Sequence, residues 1–296
     1  SSQGQPAVPA RFTDTVIATN VTASGIEADC GTTGSPTTVL FQSGGGNVVG
    51  DGSCGAGPTS RGGPSEEGYW LALATGRVQA DGLPYYGSLE ASRGSAVVAL
   101  GAGPGNLGYW EVTASGRVAG FGDAAFFGDA SAHLGRSTVA GFASTMDGQG
   151  YWLATSAGKV LSYGDAVNYG SEPGAHVVSM ARTADSRGYW LLGANGAVHA
   201  FGDAEDFGEA TDIDASSIVA TADGQGYWVV AKDGSVYAFG DARSFGSART
   251  LGTVALVPST DGLGYVEVDA RGHVSCRGDA RWHWSPVSTG VAAAVS

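Results

Sequence analysis

The sequence predicts an all-β chain made of repeated four-stranded units. Three observations carry this prediction: a short motif recurs at regular intervals, the units contain no helical period of apolar residues, and glycine makes up 50 of 296 residues. The intervals between successive motifs are 40, 42, 38, 38 and 38 residues, because Gly-Tyr-Trp begins at Gly68, Gly108, Gly150, Gly188 and Gly226, and Gly-Tyr-Val at Gly264. Four-stranded units of this length radiate around an axis, which favours a β-propeller over a solenoid.

The order of strands within a unit is clearest between residues 217 and 246. Residues 217–221 and 227–231 predict two strands joined by a turn at Asp223-Gly224. A hairpin turn at Asp233-Gly234 leads to a third strand over 235–239, because Asp-Gly suits the type I′ turn. Gly240-Asp241-Ala242 then turns the chain into a short fourth strand, which we expect to end at Phe245-Gly246.

Both ends of the chain bear on the number of blades. We expect residues 1–13 to form a flexible tail and 14–296 a single propeller domain: a degenerate blade over 14–60, six repeat blades over 61–290 and a ring-closing strand over 291–296. That strand would complete the N-terminal blade and remove a free sheet edge. The predicted total is seven blades, and the alternative is six blades plus an N-terminal extension.

The composition excludes two classes of partner. The net charge is −13 and basic runs do not exceed two residues, so nothing indicates binding to nucleic acid. No apolar stretch approaches the roughly 18 residues of a membrane span, so membrane insertion is not expected. The polar start of the chain and the low Lys and Cys content favour a processed, secreted or cell-surface protein.

The residues shared by all units are expected to be structural. A Trp held at one position of the five Gly-Tyr-Trp units fills the space between blades, and an Asp in each Gly-Asp-Ala turn accepts hydrogen bonds from its own turn. One such Asp per blade does not build a calcium site, so we predict no metal and no cofactor.

The stretch 226–242, Gly-Tyr-Trp-Val-Val-Ala-Lys-Asp-Gly-Ser-Val-Tyr-Ala-Phe-Gly-Asp-Ala, resembles the repeat of secreted actinobacterial proteins. The resemblance extends over about residues 68–284. In that group the repeats often accompany cell-wall or polysaccharide hydrolases, and the repeat region itself is generally uncharacterised. The resemblance implies an exported bacterial accessory or surface module, and it supplies no chemistry.

The last unit departs most from the repeat and supplies the candidate ligand-binding residues. Trp faces stack on sugar rings, while Arg and His donate hydrogen bonds. The candidates are Arg281, Trp282, His283 and Trp284, with His273 and Arg277 as neighbours. An adaptation of the seam where the last blade meets the first would explain the same residues.

No catalytic residue can be assigned, because nucleophile-elbow, phosphate-loop and zinc motifs are all missing from the sequence. Glu111 and Glu267 each follow the Gly-Tyr-Trp/Val position, where the other units carry Leu or Val, and we expect a buried or rim structural role for both. For the three cysteines we predict a disulfide between Cys30 and Cys54, with a bond from Cys276 to either of them as the rival.

Two functions remain open from the sequence. The first is a non-catalytic binding or scaffold module, for a glycan, a cell-envelope polymer or another surface protein. The second is a secreted polysaccharide hydrolase or lyase with carboxylates converging on the propeller channel.

Overall fold

The computed structural model describes residues 16–19, 39–42, 69–73, 76–81, 83–89, 95–249, 253–259, 262–269 and 274–280. Within these ranges the chain is all-β, as predicted, and its helical content is a single 3₁₀ turn at Pro104–Asn106. No helix in this part of the chain is long and apolar enough to cross a membrane.

Nineteen strands of the described segments form six antiparallel sheets, which we number I to VI. Sheet I contains β1 to β4, and each following sheet contains the next three strands in chain order. The strands are β1 Val16–Thr19, β2 Val39–Gln42, β3 Tyr69–Leu73, β4 Val78–Asp81, β5 Val97–Ala102, β6 Gly108–Thr113, β7 Val118–Gly122, β8 Val139–Ser144, β9 Gly150–Thr155, β10 Val160–Gly164, β11 Val177–Arg182, β12 Gly188–Gly193, β13 Val198–Gly202, β14 Ala215–Ala220, β15 Gly226–Ala231, β16 Val236–Gly240, β17 Thr253–Pro258, β18 Gly264–Asp269 and β19 Val274–Gly278.

Sheet V shows why the recurring motif is conserved in form from unit to unit. Trp228 pairs with Val219 on one side and Ala238 on the other, so it lies on the central strand. Gly226 pairs with Gly240, and a Cβ on Gly226 would lie 2.5 Å from the carbonyl oxygen of Phe239. Glycine is therefore needed at the start of this strand because another backbone approaches it closely.

The sheets pack face to face through the residues predicted to fill the core. In one cluster, Trp152 of sheet III is buried with Met180 and Tyr189 of sheet IV. The Trp residues of the motif are all buried, and those of sheets I to IV are completely so. The prediction that these rings are core residues is confirmed.

Two features of the predicted units differ in the structure. The fourth strand is an extended segment without ladder pairing: in sheet V it covers residues 243–249, which we call an outer segment. The hydrogen bonds of this segment run mainly to side chains and turns, as when Val236 N donates to Ser247 Oγ at 2.9 Å. It therefore follows the edge of the sheet without extending the ladder.

The second difference concerns the N-terminal region. Val39–Gln42, which lies within the degenerate blade predicted over 14–60, pairs with β3 in sheet I, and β1 pairs with its other edge. The sequence did not indicate this pairing, because a long connection separates Val39–Gln42 from β3. The predicted tail 1–13 and closing strand 291–296 fall outside the described residues.

The first strands of successive sheets contact one another in chain order: β2 with β5, β5 with β8, and so on to β17. Because the first strands of successive sheets lie next to one another, the turns of neighbouring sheets are also side by side. These adjacent turns form a surface at each end of the sheets, where we look for a functional site.

Candidate binding face

The turn between the first and second strands and the turn after the third strand lie at the same end of each sheet, because the three strands are antiparallel. We call this end of the sheets the aspartate face. Its exposed carboxylates come from the first turns, at Asp147, Asp185 and Asp223, and from the Gly-Asp turns, at Asp123, Asp165, Asp203, Asp241 and Asp279.

A threonine joins the two turns within a sheet. In sheet IV, Thr183 Oγ1 lies 3.1 Å from Asp185 Oδ1, 3.1 Å from Asp203 Oδ1 and 3.2 Å from Gly188 O. The same oxygen accepts from Gly188 N at 2.9 Å. The single hydroxyl proton thus has three possible acceptors. We call a Thr with its two Asp neighbours a Thr-Asp station; it links the start of the second strand to the end of the third.

Equivalent stations occur in the sheets on either side. Thr145 Oγ1 lies 2.8 Å from Asp147 Oδ1 and 3.3 Å from Asp165 Oδ1 in sheet III. Thr221 contacts Asp223 at 2.8 Å in sheet V. The sequence contains the signal in Thr-x-Asp-Gly/Ser-x-Gly ahead of Tyr-Trp. We predicted from the sequence one turn-capping Asp per unit, that of the Gly-Asp turn. The prediction did not include the second carboxylate, that of the first turn, which lies opposite it.

The paired carboxylates influence each other's ionisation. Partial burial raises the pKa of Asp241, and the charge of Asp223 raises it further. Partial burial acts upward on Asp223 too, but donation from Gln225 N and the Thr221 hydroxyl outweighs it, so the pKa of Asp223 is lowered. Within the described part of the chain, no group of three or more His, Cys, Asp or Glu side chains could hold a metal ion.

Charge is divided between the two ends of the sheets. On the aspartate face Arg187 lies 3.6 Å from Asp185. The opposite end, formed by the hairpins between second and third strands, carries exposed basic residues: Arg77, Arg117, Lys159 and Lys232. The aspartate face is therefore acidic, whereas the hairpin end carries charges of both signs, since Lys232 Nζ lies 2.7 Å from Asp214 Oδ1 and Asp233 is exposed there.

Apolar side chains project from the same acidic face. Leu107, Met146 and Leu263 occupy first turns of sheets II, III and VI, and their side chains are 54%, 56% and 41% exposed. Met146 N donates to Ser186 Oγ at 2.8 Å, which joins the turns of sheets III and IV. Exposed apolar groups beside carboxylates are suited to contact with a partner.

Of the six predicted ligand-binding residues, Arg277 lies within the part of the chain that the structure describes. Arg277 lies half-buried on β19, with Nε 3.6 Å from Glu267 Oε1. Arg277 occupies the register position that Phe239 holds in sheet V. Sheet VI therefore differs from the repeat at two positions, Arg277 and Glu267, and the two side chains are neighbours. His273, Arg281, Trp282, His283 and Trp284 lie outside the described residues, as do Cys30 and Cys54.

The two glutamates that depart from the repeat are buried, as expected. Glu111 is 0% exposed and accepts from Leu89 N at 2.7 Å, while Glu267 is 1% exposed and accepts from Ala248 N at 2.8 Å. Burial raises the pKa of Glu111 to about 8 and that of Glu267 to about 7; Arg277 lowers the latter. They belong to sheets II and VI and do not form a common site.

No protein-family model matches the chain, and no curated protein matches its sequence. A chain of the crystal structure of a mitotic checkpoint complex is similar in fold, with a TM-score of 0.52 and 12% identity over 71% of each chain. The β-propeller domain of Cps50 (Swd1) from Myceliophteria thermophila matches with a TM-score of 0.47 and 9% identity, over 68% of this chain and 76% of that one. Together with the meandering sheets, the similarity to the mitotic checkpoint complex chain supports a fold of the β-propeller type.

Proposed function

We propose that the chain is a non-catalytic binding scaffold that engages its partner through the aspartate face. The observation that carries this proposal is the placement of Thr-Asp stations and exposed apolar side chains at one end of successive sheets. The turns are held by hydrogen bonds within each sheet, so the surface is presented without a large ordering cost. A surface protein with basic and apolar side chains fits this chemistry.

The architecture of the scaffold is part of the proposal. We propose that the sheets close into a ring, and contact between β1 of sheet I and β17 of sheet VI supports it. Six sheets within the described residues favour the six-blade alternative, with β1 and β2 contributed by the N-terminal region. Export from a bacterial cell remains the expectation from composition and from the resemblance of the repeat.

A charge-matched pair of variants tests the binding face. D185N/D223N removes two charges from the stations but keeps oxygen acceptors for the turns, and D212N/D233N removes two exposed charges from the opposite, hairpin end of the sheets. Binding is measured to a panel of Lys/Arg-rich peptides at two salt concentrations. We expect D185N/D223N to weaken binding by roughly tenfold at low salt and the control to change it less than about twofold. Equal losses in the two variants contradict the proposed face.

A glycan or cell-envelope polymer is the second candidate ligand, carried by the aromatic run of the last unit. An array of glycans and isolated cell-wall fractions, probed with wild type, W282A and W284A, tests it. A contact residue should lose binding while the melting temperature stays the same. The glycan proposal fails if both substitutions only lower the melting temperature. The hydrolase alternative has no supporting observation among the described residues.

A further inference from the structure

The outer segments of sheets I and V make a hydrogen bond to the next sheet at a position where those of sheets II and III bond within their own sheet. In sheets II and III an amide of the outer segment donates to the hairpin glycine of its own sheet: Ala130 N to Gly116 O at 2.8 Å and Glu172 N to Gly158 O at 2.9 Å. The corresponding amides in sheets I and V, Leu89 N and Ala248 N, donate instead to a glutamate of the next sheet. At this position a side-chain acceptor from the next sheet takes the amide, and in sheet V the hairpin carbonyl, Gly234 O, accepts from the following amide, Arg249 N, at 3.3 Å.

The two glutamates occupy symmetric places along the chain. Glu111 joins sheet II to terminal sheet I, and Glu267 joins terminal sheet VI to sheet V. At the three junctions between them, the same strand position carries Leu153, Leu191 and Val229, which pack in the apolar clusters between sheets. At this strand position the three middle junctions therefore have an aliphatic contact, whereas the first and last junctions have a carboxyl group beside their apolar contacts.

Neither carboxyl group is fully satisfied. Glu111 Oε1 and Glu267 Oε2 are buried without a hydrogen-bond partner in the described structure. The titratable groups facing them are also few: the neutral phenol of Tyr109 near Glu111, and Tyr265 and Arg277 near Glu267. An ionised carboxylate in such a place has lost its water without gaining enough donors to replace it.

We propose that Glu111 and Glu267 are two proton-operated latches that fasten the terminal sheets when protonated and loosen them when ionised. A neutral carboxyl group still accepts the amide hydrogen bond through its carbonyl oxygen and tolerates burial. Once ionised it is drawn toward water, which requires the outer segment to separate from the next sheet. Residues 83–89 and 243–249 then open, and the middle junctions, which contain no such group, stay closed.

The raised pKa values of the two carboxyl groups define the pH range over which this opening should occur. An unfolded glutamate has a pKa of 4.5, whereas Glu111 and Glu267 retain their protons to about pH 8 and about pH 7. The closed form thus binds more protons than the open form over these ranges, so raising the pH favours opening. Between pH 6 and pH 9 the opening equilibrium should rise by at most about 90-fold at Leu89 and about tenfold at Ala248.

Amide hydrogen exchange of the whole chain tests the latches, with rates corrected for the intrinsic effect of pH. Leu89 and Ala248 should show the stated rises, while the homologous amides of Ala130 and Glu172 change less than about twofold. E111Q/E267Q, which cannot ionise, should abolish the rises, and E205Q at an exposed site should retain them. A uniform rise at all four amides, or a rise that persists in E111Q/E267Q, overturns the proposal. The comparison of amides within the wild-type protein decides the matter even if the double variant does not fold.

Discussion

The carboxyl group of Glu111 occupies a space that Leu153 and Leu191 fill in neighbouring sheets. An aliphatic side chain loses nothing by leaving water there, but a carboxyl group must remain neutral or give up its hydration. The backbone is the same at all three positions, so the difference in behaviour arises from one side chain.

Replacing Glu111 with Leu should change how stability depends on pH. In the wild type the free energy of unfolding falls by up to about 1.4 kcal/mol per pH unit between the unfolded pKa of 4.5 and the folded pKa of about 8, because the folded state holds the extra proton. E111L removes this dependence, so its stability relative to wild type should rise by up to about 3 kcal/mol from pH 6 to pH 9. Urea unfolding at several pH values measures it, with E205Q as the control. Parallel curves for E111L and wild type would count against a buried, protonated Glu111.

The sequence could identify these residues but not their partners. The position after Gly-Tyr-Trp/Val predicted a buried or rim structural role for Glu111 and Glu267, and the structure shows that both are buried. The amides that they accept from, at Leu89 and Ala248, belong to irregular segments more than 18 residues away in the chain. Contacts of this kind depend on how sheets pack, which no local pattern specifies.

At the scale of elements, the indole N–H groups explain how an outer segment is held without a ladder. Trp110 Nε1 donates to Ala125 O, Trp152 Nε1 to Val167 O and Trp190 Nε1 to Glu205 O, at 2.7–2.8 Å. Each Trp therefore fills the core and fixes the start of an outer segment. The sequence predicted that each Trp fills the core, but it did not predict the hydrogen bond from the indole to the outer segment. Without that bond, the outer segment was expected to be held by ladder pairing as a fourth strand.

Replacing Trp152 with Phe separates these two roles. The ring remains aromatic, but the carbonyl of Val167 loses its donor and some core volume is left unfilled. We expect W152F to lower the free energy of unfolding by about 2–3 kcal/mol. The matched control F126L alters an exposed side chain and should stay within about 0.5 kcal/mol. Chemical denaturation measures both, and equal effects of the two variants would refute the anchoring role of the indole.

At the scale of the whole molecule, the open question is whether sheets I and VI meet in the proposed ring. Two candidate elements could close the ring: the C-terminal strand predicted from the sequence over 291–296, and β1, which contacts β17. Repetition of the units made the propeller predictable. The closing element was not, because it depends on the ends of the chain, where repetition stops.

Two truncations distinguish the closing elements. Removing residues 291–296 should lower the melting temperature by about 5 °C or more if that strand completes the ring, since two sheet edges become exposed. Removing residues 1–19 deletes β1 and should have the larger effect if β1 provides closure. Differential scanning calorimetry measures both. A melting temperature unchanged in both truncated chains would contradict a closed ring.

The tyrosines of the motif give the array of sheets a direction. Tyr151 OH donates to Gly128 O, Tyr189 OH to Gly170 O and Tyr227 OH to Gly208 O, so each sheet reaches back to the one before it at 2.5–2.7 Å. The contact is heterologous, and its donor and acceptor surfaces repeat almost unchanged along the chain. A sheet of one molecule thus offers a second molecule the surface that its own neighbour uses. During folding at high concentration, two chains could exchange sheets or pair out of step by a whole unit. Glu111 and Glu267 make the first and last junctions different from the middle ones, and this difference disfavours pairing that is shifted by a whole unit.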